Sequence, residues 1–210
     1  IWAPHNTREA LFNGMRRRET FGTSGPRITP RFFGGWDLDK QLCEQDQMIE
    51  TAYDTAVPMG SDLPAMNNSG QTAPSFLLSA TQDLTTWATP LQRLQVIKTW
   101  SDGEGQTHQA VFDVAGDADN GATVDTDTCQ RSGPGFAKLC SVWQDPEFNP
   151  NTSAAYYARV VENPSCRWLA YDCMNASRED RPQTCDDAAH RKSIQERAWT
   201  SPIWYTAQAK

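Results

Sequence analysis

Period-two alternation of apolar and polar residues dominates the middle of the chain. From Leu91 to Ala115, Leu94, Val96 and Trp100 fall on one side of a ribbon interrupted only by Lys98. Ala110, Phe112 and Val114 then alternate with Gln109, Val111 and Asp113. Alternation on both sides of a Gly/Asp-rich stretch marks a half-buried β-hairpin. Asp102-Gly103-Glu104-Gly105 supplies residues that tolerate positive φ, so the reversal belongs there. A lone hairpin is not stable in water, so further strands must cover its apolar face.

The same reading extends outward. Leu11, Phe12 and Met15 form an apolar stripe at helical spacing, the means by which a surface helix attaches to its domain. Asn6-Thr7-Arg8-Glu9 opens that helix, with Asn6 as the expected cap and Glu9 reaching back. Arg16-Arg17-Arg18 fill its last turn, where cations suit the helix dipole, and it should end before Phe21-Gly22. Arg27 to Trp36 reads as a strand kinked at Gly34-Gly35, and a short helix is expected around Gln45 to Thr51. Val57 to Thr72 is loop by its Pro, Gly, Asn and Ser content. Ser75–Thr81, Leu139–Trp143, Ala154–Glu162 and Ile194–Tyr205 complete the strands, with Pro202 marking an edge or a break in the last. Arg178 to His190 is a polar excursion. Seven or eight strands after one helix predict a mainly β, α+β chain built as an antiparallel sandwich. The helix reads as the tail of a preceding α/β domain.

Charge narrows the partners. Among 210 residues the net charge is −7, which argues against nucleic acid. No apolar run approaches the roughly 20 residues of a membrane helix. Ile1-Trp2-Ala3-Pro4 carries neither a start methionine nor a signal peptide, so a processed or excised chain is expected.

Six cysteines, Cys43, Cys129, Cys140, Cys166, Cys173 and Cys185, contain no C-x-x-C pair. Disulfides in an exported protein, periplasmic or extracellular, fit better than zinc. Cys129 and Cys140 bracket the turn Ser132-Gly133-Pro134-Gly135 and are the expected pair. The pairing of Cys43, Cys166, Cys173 and Cys185 stays open.

Candidate chemistry is sparse. The chain has no G-x-S-x-G elbow, H-E-x-x-H helix, P-loop or dinucleotide fingerprint. His5, His108 and His190 are scattered, and His108 is expected on the exposed side of the hairpin. His5, just before the helix, is the one weak candidate for an active face. Asp117 to Asp127 is acidic, but the EF-hand pattern fails, so a solvated loop is expected rather than a calcium site. N-x-Ser triplets start at Asn67, Asn151 and Asn175.

Two segments, TREALFNGMRRRETFGTSGPRITPRFFGGWD (Thr7–Asp37) and IQERAWTSPIWY (Ile194–Tyr205), resemble the C-terminal region of a large bacterial family. It is domain-of-unknown-function family 3604, related to the polymerase-and-histidinol-phosphatase (PHP) metallohydrolases. VPMGSDLP, LQRLQVIKTW, FDVAGDADNGATVD, VWQDPEFNP and YYARVVENPSCRW resemble it too. The resemblance implies that residues 1–22 end a PHP-type (β/α) barrel and that residues 23–210 form a C-terminal β-rich domain. It implies an exported metal-dependent hydrolase, a phosphoesterase, whose divalent metals sit on upstream barrel ligands. None of those ligand motifs matches a residue here, so no catalytic or metal-binding residue is assigned and this segment is expected to hold no metal. Its partner would be the upstream barrel of the same protein, approached by Trp2 to Asn6. The alternative is a non-catalytic, disulfide-stapled β-sandwich that binds or supports a partner.

Overall fold

The computed structural model describes residues 1–66, 70, 72–177 and 179–207. The chain opens with helix α1 (Arg8–Arg16), followed by strands β1 (Phe21–Thr23) and β2 (Thr29–Gly35). A 3-10 turn (Leu42–Glu44) leads into helix α2 (Met48–Thr55) and the short strand β3 (Val57–Pro58). Then come β4 (Ser75–Thr81), β5 (Leu91–Ser101), β6 (Thr107–Gly116), β7 (Thr123–Val124), β8 (Arg131–Ser132) and β9 (Lys138–Gln144). The chain continues with β10 (Ala154–Cys166), helix α3 (Trp168–Asn175), β11 (Ser193–Thr200) and β12 (Ile203–Tyr205).

The strands form two packed antiparallel sheets and a separate two-stranded ribbon, β7-β8. The larger runs β1-β11-β10-β5-β6, with β12 also on β10, and the smaller runs β3-β2-β4-β9. The mainly β, sandwich-like reading therefore holds. The β5–β6 hairpin lies in the larger sheet, pairing Ser101 with Thr107 at its tip and Arg93 with Gly116 at its base. Its turn is closed by Asp102, whose Oδ1 accepts the backbone N–H groups of Glu104 and Gln106. Pro202 breaks the last strand as expected, separating β11 from β12.

Between the sheets lie Phe32, Phe76 and Leu78 from one side and Leu94, Val96, Tyr156 and Val160 from the other. A second cluster covers the outer face of the small sheet, where Leu38, Leu42, Met48 and Ala52 pack on Phe33 and Leu77. That second layer explains why β4 does not alternate in burial: every residue from Ser75 to Ala80 is buried, on both faces. The outer face of the large sheet is covered mainly by its own side chains, which leave Val161 and Ile97 each 1% exposed. Its outward residues include Arg159 beside Trp199 and Val161 beside Arg197.

Three expectations are corrected here. The helix cap is Thr7, whose Oγ1 accepts the Ala10 N–H, so helix α1 begins one residue later than an Asn6 cap implies. Its stripe is mostly exposed: Phe12 is 54% and Met15 51% exposed while Leu11 is half-buried, and Gly14 is the residue the helix buries. The reason is the fit of Gly14 under Ile1 and Trp2, where a Cβ would lie 2.9 Å from the Trp2 carbonyl oxygen. Finally, Cys129 and Cys140 are not joined. Cys140 bonds Cys43, Cys129 bonds Cys166, and Cys173 bonds Cys185. Cys140 lies on β9, whose neighbour α2 and its preceding turn carry Cys43 against the small sheet, whereas Cys129 leaves the β7–β8 ribbon towards the end of β10.

Candidate functional site

The hairpin outruns the core, and the overhang builds one wall of a groove. Trp100 and Asp102 line it from β5 and the turn, Thr152 and Ala154 from the start of β10, and Trp204 and Tyr205 from β12. The groove holds about 540 Å³. At its rim His108 Nε2 lies 2.7 Å from Asp102 Oδ2. The His108 ring stacks on Trp100, with centroids 5.5 Å apart and planes at 20°. His108 sits in register with Ala110 and Phe112 rather than on the opposite face, and it stays exposed because the core ends before it. Its hydrogen bond, followed by the Gln106 and Glu104 backbone donors, holds the Asp102 carboxyl below its usual range. The groove offers aromatic faces and hydroxyls, a surface suited to recognition.

Lys98, the one interruption of the hairpin's apolar face, is buried by design of its partners. Its Nζ donates to Asp145 Oδ2 and to the Glu147 carbonyl, each at 2.7 Å. The Tyr156 hydroxyl donates to the same Asp145 oxygen at 2.7 Å. Burial, then the Asp145 charge, drives the Tyr156 phenol far above its ordinary range. A buried Lys–Asp pair is sustained only with such extra hydrogen bonds. Nothing in the hairpin's own sequence points to Asp145, which lies 47 residues on.

The segment before β1 is fixed to the sandwich. Trp2 donates its backbone N–H to the Glu19 carbonyl and its Nε1 to the Pro30 carbonyl, both at 3.0 Å. The Arg31 guanidinium covers the Trp2 ring, and Arg31 Nη1 donates to the Tyr53 hydroxyl at 3.1 Å. Tyr53 in turn donates to the buried Glu19 carboxylate, which Arg17 also approaches at 3.2 Å. Burial, then the Glu19 hydrogen bond, raises the Tyr53 phenol. Arg18, the last of the three arginines at the helix end, adds a second tie. It takes φ 59°, donates Nε to the Gly60 carbonyl at 2.8 Å and lies over the Trp204 ring.

The remaining sequence candidates disperse. His5 is exposed two residues before the α1 cap, and His190 pairs with Asp187 in an exposed loop. In the acidic loop from Asp117 to Asp127 two carboxylates close local turns: Asp117 accepts the Asp119 N–H and Asp125 the Asp127 N–H. Among the described residues, no three His, Cys, Asp or Glu side chains converge in a group that could hold a metal ion. Asn151 and Asn175 are exposed, while Asn67 lies outside the described residues.

Fold and cysteines together define the chain as a disulfide-stapled antiparallel β-sandwich-like domain with three short helices around its sheets. The model of the family described as "Protein of unknown function (DUF3604)" matches residues 1–207, and the chain belongs to that family. Comparison with curated proteins and with solved structures gave no match.

Proposed function

We propose that this chain is the C-terminal portion of an exported, PHP-like metal-dependent hydrolase acting on phosphoesters. Residues 1–22 then form the end of the catalytic barrel and residues 23–210 the β-rich domain fixed to it. The observation that supports this most is helix α1. It is locked to the sandwich through Trp2, Arg18 and Glu19, yet Ile1, Phe12 and Met15 are left in solvent. An apolar stripe on a helix held this firmly is what a second packed domain would cover. The three disulfides support export, since such bonds persist outside the reducing cytosol.

In this reading the metal ligands are upstream and the sandwich positions the barrel's final helix. The test compares the 210-residue chain with a longer form carrying the upstream sequence. Metal analysis after dialysis and hydrolysis of bis(p-nitrophenyl) phosphate should be positive for the longer form and negative for this chain. A stoichiometric transition metal on this chain, or an inert longer form, overturns the proposal. The second reading, a free-standing binding module, is favoured by the groove between Trp100 and Trp204. An inert, metal-free longer form is its expected result.

A further inference from the structure

The outer side of the large sheet ends in a cleft of about 410 Å³ at the junction of β10, β11 and the turn after β1. Arg167, Arg191 and Arg197 line it, with Trp199 and Ser193. Three guanidiniums in one cleft stand out in a chain of net charge −7. None of the three makes an ion pair among the described residues, although Arg17, Arg93 and Arg181 each do.

The backbone beneath these side chains is fixed. The Arg167 N–H donates to the Lys192 carbonyl at 2.7 Å, which sets Arg167 beside Arg191. Cys166, next to Arg167, is held by the disulfide to Cys129. At Arg197 the backbone N–H donates to Ser24 Oγ at 2.8 Å, and the Ser24 N–H returns a bond to the Arg197 carbonyl at 3.0 Å. The nearest acid in sequence, Glu196, accepts the Ser24 hydroxyl instead of an arginine. Positive charge accumulates: the neighbouring Arg159 guanidinium is held below its ordinary value, first by burial and next by the Arg197 charge. Trp199 is 36% exposed, and its strand neighbour is Gly22, where even an added Cβ would meet nothing within 4 Å. One flank of the indole is therefore open.

We infer that this cleft binds a small ring compound carrying an oxyanion, with Arg167, Arg191 and Arg197 holding the anion and Trp199 stacking on the ring. Guanidinium forks match phosphate, sulfate and carboxylate alike, and an indole face packs on the C–H face of a sugar. The volume suits a single ring with its charged group. The shared chemistry is thus an anionic saccharide, and the source of the anion is what the probes separate.

Calorimetric titration of the intact chain would use glucose 6-phosphate, glucose 6-sulfate, glucuronate, inorganic phosphate and glucose. Saturable binding is expected for at least one charged sugar, more weakly for inorganic phosphate, and none for glucose. The preferred charged sugar identifies the anion. Arg191→Gln and Arg197→Gln should each weaken binding roughly tenfold, the usual effect of losing one charged hydrogen bond. Trp199→Ala should weaken the sugars while leaving inorganic phosphate unchanged. Arg16→Gln, on α1, should change nothing. Both cleft arginines are exposed, so thermal melts should show the variants folded. The inference is overturned if no charged probe saturates, or if the double variant Arg191→Gln/Arg197→Gln binds as the parent does.

Discussion

Glu162 is a carboxyl placed where ionisation is expensive, and replacing it by glutamine exposes that expense. It sits on β10 with 1% of its surface accessible. Oε2 accepts the Thr89 N–H at 3.2 Å and the Thr89 hydroxyl at 3.1 Å, while Oε1 meets no donor among the described residues. Burial raises its pKa from 4.5 to about 7, against the lowering effect of the Thr89 donors. The charges of Glu196 and Asp83 add to the rise. The unfolded carboxyl loses its proton near 4.5, whereas the native one keeps it until about 7. Between those values the native state binds more protons, so stability falls as pH rises and levels off above about 7. The full difference amounts to about 3 kcal/mol. Glu162→Gln holds the neutral shape at every pH. Its stability relative to the parent should therefore climb across this window, by ~5–10 °C in Tm for a chain of this size. Melts of both proteins from pH 4.5 to 8.5 measure the slope, and any fixed offset from the substitution drops out. A Tm difference that stays level over that range would refute the reasoning.

Three further outcomes follow from the packing. Lys98→Met strands Asp145 inside the sandwich and should destabilise by about 3–5 kcal/mol in urea unfolding, with Asp145→Leu added in the same chain recovering part of the loss. Removing Cys43–Cys140, which spans 97 residues, should lower stability by about 4–5 kcal/mol, against ~3 kcal/mol for Cys173–Cys185, which spans 12. Equal losses in denaturant titrations would count against the loop-entropy account. Gly60→Ala puts a Cβ 2.3 Å from the Arg18 carbonyl oxygen at φ +88° and should cost at least ~2 kcal/mol. Hydrogen exchange should then quicken at the amides of Arg18 to Thr20, and unchanged protection there would sink the idea.

Much of the sandwich was legible because period-two alternation is a local signal. β4 was readable to the residue, and the β5–β6 hairpin, β9 and β10 to within a few. The disulfides were not, because proximity in sequence stood in for proximity in space. Cys140 points to the outer layer of the small sheet, and only the packing of the Leu42–Glu44 turn brings Cys43 there. Helix α3 escaped notice because Arg167 gives it no side-chain cap and no polar stripe announces it. The amphipathic pattern of α1 was visible, but periodicity says nothing about whether the neighbour on the apolar side is present. The arginine cleft was invisible for a related reason: residues 167, 191 and 197 are scattered cations until β10 and β11 pair.

The pairing of β1 with β11 has a consequence for biogenesis. Phe21 meets Thr200, and the Thr20 and Ser201 hydroxyls, 181 residues apart, share a hydrogen bond. A chain delivered from its N-terminal side must keep β1 without its β11 partner until residue 200 has emerged. The Cys43–Cys140 bond can close well before that moment, so the small sheet can be sealed while the large one still lacks an edge. Ser24 and Gly22 reach Arg197 and Trp199 only when β11 pairs with β1. The cleft is therefore assembled only when the two distant ends of the large sheet's edge meet, and its formation reports that β1 has been captured.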